Sequence, residues 1–140
     1  MSSERVNVMK KRALEFLILS KELLSRGLLD LSSFNLHQAC QMRIKASILR
    51  LTGEFPRIHG IRELMGILAR KVEEMGHEDQ SKSLVEFARK HRDVLMDIEE
   101  AYTRSRYDVA GFTRGSLEEM IGTAEALFKL LDEVEKDVLG

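Results

Sequence analysis

Three arginines and a tyrosine are concentrated in the short segment 103–114, between two stretches of helical pattern. Arginine presents forked N–H donors that match phosphate oxygens, and a tyrosine ring offers a surface on which a nucleobase can stack. The segment therefore predicts a contact with a nucleotide or RNA, with Arg106 as the best candidate for a catalytic role. The alternative interpretation is a basic turn whose arginines pair with helix carboxylates, since charged turns are commonly just solvated. The candidate binding residues are Arg104, Arg106, Tyr107, Asp108 and Arg114.

A narrow polar seam along the second predicted helix is the next candidate. It consists of Asn35, Gln38, Gln41 and Lys45, which recur at helical spacing among apolar residues. Buried polar groups must find hydrogen-bond partners, so the seam is either an internal network or part of a site.

The histidines show no metal-binding pattern. Glu74 and His77 have the Glu-x-x-His spacing of di-iron bundles, but such a centre needs two of these motifs and further inward glutamates. His91 lies on an apolar stripe, where it is either a core or interface histidine or a catalytic base. His37 and His59 have no partner at metal-ligand spacing, and no Gly-rich phosphate loop occurs. We expect neither a metal nor a cofactor.

The overall composition limits the class of protein. The chain has 22 basic and 23 acidic residues and a formal charge of −1, so nucleic-acid binding would need a local patch. The single cysteine, Cys40, leaves no internal disulfide. The sequence begins with polar residues rather than with a signal peptide, and no apolar run approaches the roughly 18 residues of a membrane span. These features predict a soluble, cytoplasmic protein with no membrane partner.

Apolar residues recur at helical spacing along nearly the whole chain. With one proline and many good helix formers, the pattern predicts helices over about residues 5–26, 32–51, 61–75 and 79–102, and another from about 116. The second of these is apolar on nearly all sides and should be the most buried. We therefore predict one domain over residues 1–140, an all-α, up-and-down bundle of four or five helices.

Several of these features follow one another in a characteristic order. In chain order they are Gly27, Asp30, Phe34, His37, Gln38, Gln41, Lys45, Gly53, His59, Gly60, Arg104, Arg106, Tyr107 and Asp108. This order resembles that of the HEPN domain family over nearly the whole chain. The resemblance implies a helical homodimer with a cleft between protomers, and a minimal nucleotidyltransferase as a toxin–antitoxin partner.

The resemblance also carries an expectation about catalysis. The resemblance implies that active members of the family are metal-independent RNases with an Arg-x4–6-His motif. In this motif the arginine holds phosphate and the histidine transfers protons. Arg106 matches the arginine, but Gly111 stands at the histidine position and Thr113 where some members carry a modified tyrosine. The family's glutamate near Gln41 is also missing. Without the imidazole, cleavage loses about 10²–10⁴-fold.

Three hypotheses follow. The first is a nucleotide- or RNA-binding protein with weak or no catalysis. The second is an RNase toxin with a non-standard base, such as His91 brought into the cleft by dimerisation. The third is a dimeric helical scaffold whose arginines form only intramolecular ion pairs.

Overall fold

The described part of the chain forms six helices. The computed structural model describes residues 2–107 and 111–140, and within these ranges no strand occurs. The predicted all-α class is confirmed, with one helix more than the sequence pattern indicates. The helices are α1 (Ser2–Ser25), α2 (Leu29–Thr52), α3 (Ile61–Glu74), α4 (Glu78–Lys90), α5 (Arg92–Tyr107) and α6 (Arg114–Leu139).

Helices α1 and α2 form an antiparallel hairpin. Gly27 in the turn has a φ of 76°, a left-handed conformation that favours glycine, and it ends α1 where the sequence predicts. Ser20 and Ser32 each donate a hydroxyl hydrogen bond to the other's backbone carbonyl, both at 2.8 Å. Because serine is small, the two helices approach closely at this point, and α2 lies against α1 along most of its length.

The main hydrophobic core draws buried side chains from all six helices. Each large aliphatic side chain buried here stabilises the fold by roughly 1.5–3 kcal/mol. Helix α2 is buried on most of its surface, as its apolar sequence predicts, and it packs against α1, α3, α5 and α6. It is therefore the central helix, and a polar group on it is held in place from several sides.

Some helix boundaries differ from the prediction. The predicted fourth helix is divided at His91, whose φ of −105° and ψ of 21° are not helical. The apolar stripe runs on across this break from Leu84 to Leu95, so periodicity alone does not reveal it. Helix α6 begins earlier than predicted, because Thr113 is the N-cap and its hydroxyl accepts a hydrogen bond from the Ser116 N–H at 3.1 Å.

Helix α5 continues to Tyr107, well into the segment predicted to be a turn. Between Tyr102 and Tyr107 the chain has no glycine or proline to stop a helix, so the helix propagates to Tyr107. Residues 103–107 of segment 103–114 therefore belong to α5, which sets their positions. No helix in the described ranges is both long enough and apolar enough to cross a bilayer.

Candidate functional site

A cavity of about 470 Å³ lies between α2, α5 and the connection that precedes α3. Its volume is within the range of small-molecule sites, which is about 300–1,000 Å³. Polar and aromatic side chains line most of it. The lining residues are His37, Gln38 and Gln41 of α2, His59 and Gly60 of the connection, and Glu99, Tyr102 and Thr103 of α5. We call this the α2–α5 cavity.

One face of α5 provides its side of the cavity. Glu99, Tyr102 and Thr103 are three and four residues apart, so they lie on one face of the helix. Arg106 is three residues beyond Thr103 and therefore occupies the next position on the same face. Its backbone belongs to the last turn of α5, while its side chain lies outside what the structure describes.

His37 is held between an amide and an aromatic ring. Its Nδ1 lies 3.0 Å from Oε1 of Gln38, and because a carbonyl oxygen only accepts, Nδ1 donates and Nε2 keeps a lone pair. The ring centroids of His37 and Tyr102 are 5.2 Å apart. Burial lowers the pKa of His37, and it outweighs the opposing effects of the Gln38 hydrogen bond and the Glu99 charge. His37 is therefore neutral at pH 7 and able to accept a proton.

His59 takes the opposite tautomer. Nζ of Lys45 lies 3.0 Å from Nδ1 of His59, and since an ammonium only donates, Nδ1 accepts and the ring proton is on Nε2. The Gln41 amide donates to the backbone carbonyl of His59 at 2.9 Å and fixes the connection against α2. The cavity is thus lined by one imidazole with a free lone pair and one with an N–H.

Glu99 connects the cavity to the start of α3. Its carboxylate accepts a hydrogen bond from the backbone N–H of Arg62 at 2.7 Å, and from Nε and an NH2 nitrogen of the same residue at 3.1 and 3.2 Å. A carboxylate at a helix N-terminus is stabilised by the helix dipole, so Glu99 orients α3 relative to α5.

The structure brings together three of the four residues of the predicted polar seam. Gln38 and Gln41 line the α2–α5 cavity, and Lys45 contacts its wall through His59. Asn35 differs, because its amide donates to the backbone carbonyl of Leu31 at 2.7 Å, within α2.

The residues of the predicted arginine segment lie in separate environments and do not form one compact site. Arg104 donates to the Gly111 carbonyl at 3.1 Å, and its guanidinium lies 4.4 Å from the ring centroid of the buried Phe112. It therefore holds Gly111 and Phe112 against the helix. Tyr107 is 70% exposed at the helix end. Asp108 lies outside the described residues.

Arg114 lies at a different place from Arg104. It is the exposed first residue of α6, and its guanidinium lies 3.8 Å from the position that a Cβ on Gly27 would take. Arg114 therefore lies against the turn between α1 and α2.

His91 is far from Arg106 within one chain. The two residues stand at opposite ends of α5, and fifteen residues of helix correspond to roughly 22 Å. His91 packs on Phe87, with ring centroids 4.4 Å apart. Glu74 and His77 flank the turn between α3 and α4, and in residues 2–107 and 111–140 no cluster of three or more His, Cys, Asp or Glu side chains is suited to a metal ion.

Sequence reasoning missed His37 and His59 as site residues. His37 gave a usable signal, because it is one residue before Gln38 and four before Gln41, and so belongs to the polar side of α2. His59 gave none, since it lies in an irregular connection. Only the fold brings this connection next to α2.

The fold and cavity define a small all-α domain with a polar, histidine-containing cleft beside its central helix. The HEPN domain family matches residues 6–134, nearly the whole chain. The chain therefore belongs to the HEPN family, as its motif order predicts, and membership indicates a function related to nucleotides or RNA in general terms. No curated protein matches it significantly.

Proposed function

We propose that this HEPN protein binds nucleotides or RNA with the α2–α5 cavity and the C-terminal end of α5. The observation that carries the proposal is the shared face of α5. Glu99, Tyr102 and Thr103 line the cavity on this face, and Arg106 holds its next position. If a base occupies the cavity, its phosphate would lie toward the C-terminal end of α5, where Arg106 would provide forked N–H donors.

The cavity has the groups that base recognition requires. Tyr102 and His37 supply aromatic rings, and rings of this kind stack on unpaired bases. Gln38 and Gln41 supply amides, which can pair with the donors and acceptors of a base edge. Unpaired bases are the part of RNA that such pockets read, so the preferred ligand is single-stranded.

A titration of fluorescently labelled single-stranded RNA tests the proposal. Gln38→Ala removes an amide that lines the cavity, and we expect it to weaken RNA affinity several-fold or more. Gln80→Ala removes an amide from α4, which does not line the cavity, and affinity should be unchanged. If wild-type protein binds neither RNA nor nucleotides, the dimeric-scaffold hypothesis replaces this one.

A second candidate function, metal-independent RNA cleavage, is favoured by the two histidines. Nε2 of His37 has a lone pair that can take a proton, and the Nε2–H of His59 can donate a hydrogen bond, in the same cavity. In cleavage by the RNA 2′-hydroxyl, His37 would take the hydroxyl proton, His59 would bond a phosphate oxygen, and water would give the proton to the leaving 5′-oxygen. Loss of a measured RNase activity in both His37→Ala and His59→Ala would support this candidate over binding alone.

The partners we propose are a second copy of the chain and a minimal nucleotidyltransferase, as in toxin–antitoxin-type pairs. Family membership supports both, and large apolar side chains exposed on α1, such as Leu14 and Ile18, support the homodimer. Co-expression with a minimal nucleotidyltransferase from the same genome, followed by affinity capture, tests the second partner.

A further inference from the structure

Lys45 is a buried cation with no carboxylate partner among residues 2–107 and 111–140. The residue is 6% exposed, and its ammonium contacts Nδ1 of His59 at 3.0 Å and lies 5.4 Å from the ring centroid of Phe55. Both contacts are with neutral groups. Burial without a counter-charge lowers the pKa of Lys45. A charge in this position is costly unless an anion comes to it.

Arg43, on the same helix, is a buried cation with a structural role, and it allows a comparison with Lys45. It is also buried, but it contacts Asp132 at 2.7 Å and Glu135 at 2.8 Å, and it donates to the Ser47 hydroxyl. In the described part of the chain, no salt bridge includes Lys45. The fold supplies carboxylates to one of these buried cations and leaves the other without one.

Further positive charge lies near Lys45. A groove of about 290 Å³ lies between α1 and α2, and Arg5, Arg12 and Lys45 line it. The guanidinium of Arg5 lies 4.6 Å from the centroid of the same Phe55 ring that Lys45 approaches. Neither Arg5 nor Arg12 forms a salt bridge within residues 2–107 and 111–140. The groove therefore gathers three cations whose mutual repulsion an anion would relieve.

This groove and the α2–α5 cavity are neighbours. Gln41 lines both of them, and the hydrogen bond from Lys45 to His59 joins the groove to the cavity wall. Met9 and Met42 add an apolar floor to the groove. Proteins bind single-stranded nucleic acid with this arrangement, in which a positively charged groove holds the backbone and neighbouring aromatic rings stack on the bases.

We propose that Lys45 and Arg5 form a phosphate subsite in the α1–α2 groove, which holds a phosphodiester of an RNA strand whose neighbouring nucleotide occupies the α2–α5 cavity. The identity of the strand rests on the proposed function, whereas the phosphate subsite does not. The phosphate oxygens would supply the counter-charge that Lys45 lacks.

Inorganic phosphate tests the subsite without RNA. At constant ionic strength, phosphate should raise the melting temperature of the wild type, and Lys45→Met and Arg5→Gln should remove most of this rise. Lys11→Met, which removes an exposed lysine from α1 outside the groove, should keep it. In phosphate-free buffer Lys45→Met should be at least as stable as the wild type, because an unpaired buried charge is gone, while Arg43→Met should be less stable. An equal phosphate response in wild type and both subsite variants would overturn the proposal, as would destabilisation by Lys45→Met equal to that by Arg43→Met.

Single-stranded RNA tests the occupant. Lys45→Met should weaken RNA affinity about tenfold or more, the usual loss for a charge-assisted hydrogen bond, while Lys11→Met should leave it nearly unchanged. RNA binding that is lost in Gln38→Ala but equal in Lys45→Met and wild type would refute the subsite and leave the proposed function intact. A phosphate response that depends on Lys45, in a protein that binds neither RNA nor nucleotides, would refute the proposed function and the RNA occupant while supporting the subsite.

Discussion

The guanidinium of Arg43 lies 2.8 Å from the carboxylate of Glu135, and both side chains are buried where α1, α2 and α6 meet. Lys10 of α1 and the Ser47 hydroxyl of α2 also donate to this carboxylate. Burial by itself raises the pKa of Glu135, but the charge of Arg43 and these hydrogen bonds outweigh it, so its pKa lies below the ordinary value. Glu135 therefore joins three helices as an anion.

Glu135→Gln should lower the free energy of unfolding at pH 7 by about 3 kcal/mol, because it leaves the charge of Arg43 partly uncompensated. The loss stays at the low end of the range for buried pairs, since Asp132 still contacts Arg43 at 2.7 Å. Glu125→Gln is the matched control, because Glu125 also lies on α6 but forms an exposed ion pair with Lys21 of α1. This surface pair should contribute at most about 1 kcal/mol to the free energy of unfolding. Urea unfolding of the three proteins measures both effects.

The effect of Glu135→Gln on the free energy of unfolding should depend on pH. The folded-state pKa of Glu135 is below its unfolded value, so its contribution is complete above the ordinary glutamate value of 4.5 and is lost as pH falls through the folded pKa. The stability difference between wild type and Glu135→Gln should therefore shrink as the pH is lowered below about 4.5. A difference that stays constant down to the lowest measurable pH would show that the charge of Glu135 does not contribute.

Arg106→Ala should weaken RNA binding more than it weakens folding. Loss of a charge-assisted hydrogen bond to phosphate removes about 1.5–3 kcal/mol of binding free energy. Arg92→Ala, at the other end of α5, is the matched control and should bind RNA like the wild type. Calorimetric melting of both variants completes the experiment. A collapse of the melting temperature in Arg106→Ala with unchanged affinity would assign Arg106 a structural role.

Much of the fold can be predicted from the sequence, because the spacing of apolar residues indicates which face of each helix is buried. Helices α1, α2 and α3 begin and end near their predicted positions, and the glycines at 27 and 53, both in left-handed conformations, mark two of the ends. The break at His91 escaped prediction because it preserves the apolar stripe. The extension of α5 to Tyr107 escaped because charged residues favour turns and helix surfaces alike.

The candidate site was predictable only in part. The seam of Gln38, Gln41 and Lys45 stands out because polar residues on an apolar helix violate its pattern. His59 and Glu99 do not stand out, since a polar residue in a connection or on a helix surface is ordinary. Their roles arise from tertiary packing, which places them around residues of α2 that are distant in sequence.

The protein should be a homodimer, with a mass in sedimentation experiments of about 32 kDa, twice the chain mass of 16.0 kDa. Leu14 and Ile18 are one turn apart on α1 and about half exposed, so they form a contiguous apolar surface that a second copy of the chain would cover. Ile18→Glu should shift the population toward monomer, because it places a charge in an apolar contact. Val85→Glu, an exposed apolar position on α4, should not. A wild type that sediments as a monomer at micromolar concentration would refute the dimer.

Gly111 stands where active family members are expected to carry a histidine. We expect the wild type to cleave a structured RNA slowly or not at all in the presence of a chelator, because the proton carrier of the Arg-x4–6-His motif is absent. A histidine at position 111 would meet a steric obstacle, since a Cβ there would clash with Oδ1 of Asp30.

Asp30→Ala removes that obstacle, so we expect cleavage from the double variant Asp30→Ala/Gly111→His and less from Gly111→His alone. Asp30→Ala by itself is the control and should be as inactive as the wild type. Cleavage by the double variant that is lost on adding Arg106→Ala would place Arg106 and position 111 in one site. Strong cleavage by the wild type would contradict the prediction, and His37→Ala and His59→Ala would then show whether the α2–α5 cavity supplies the missing acid and base.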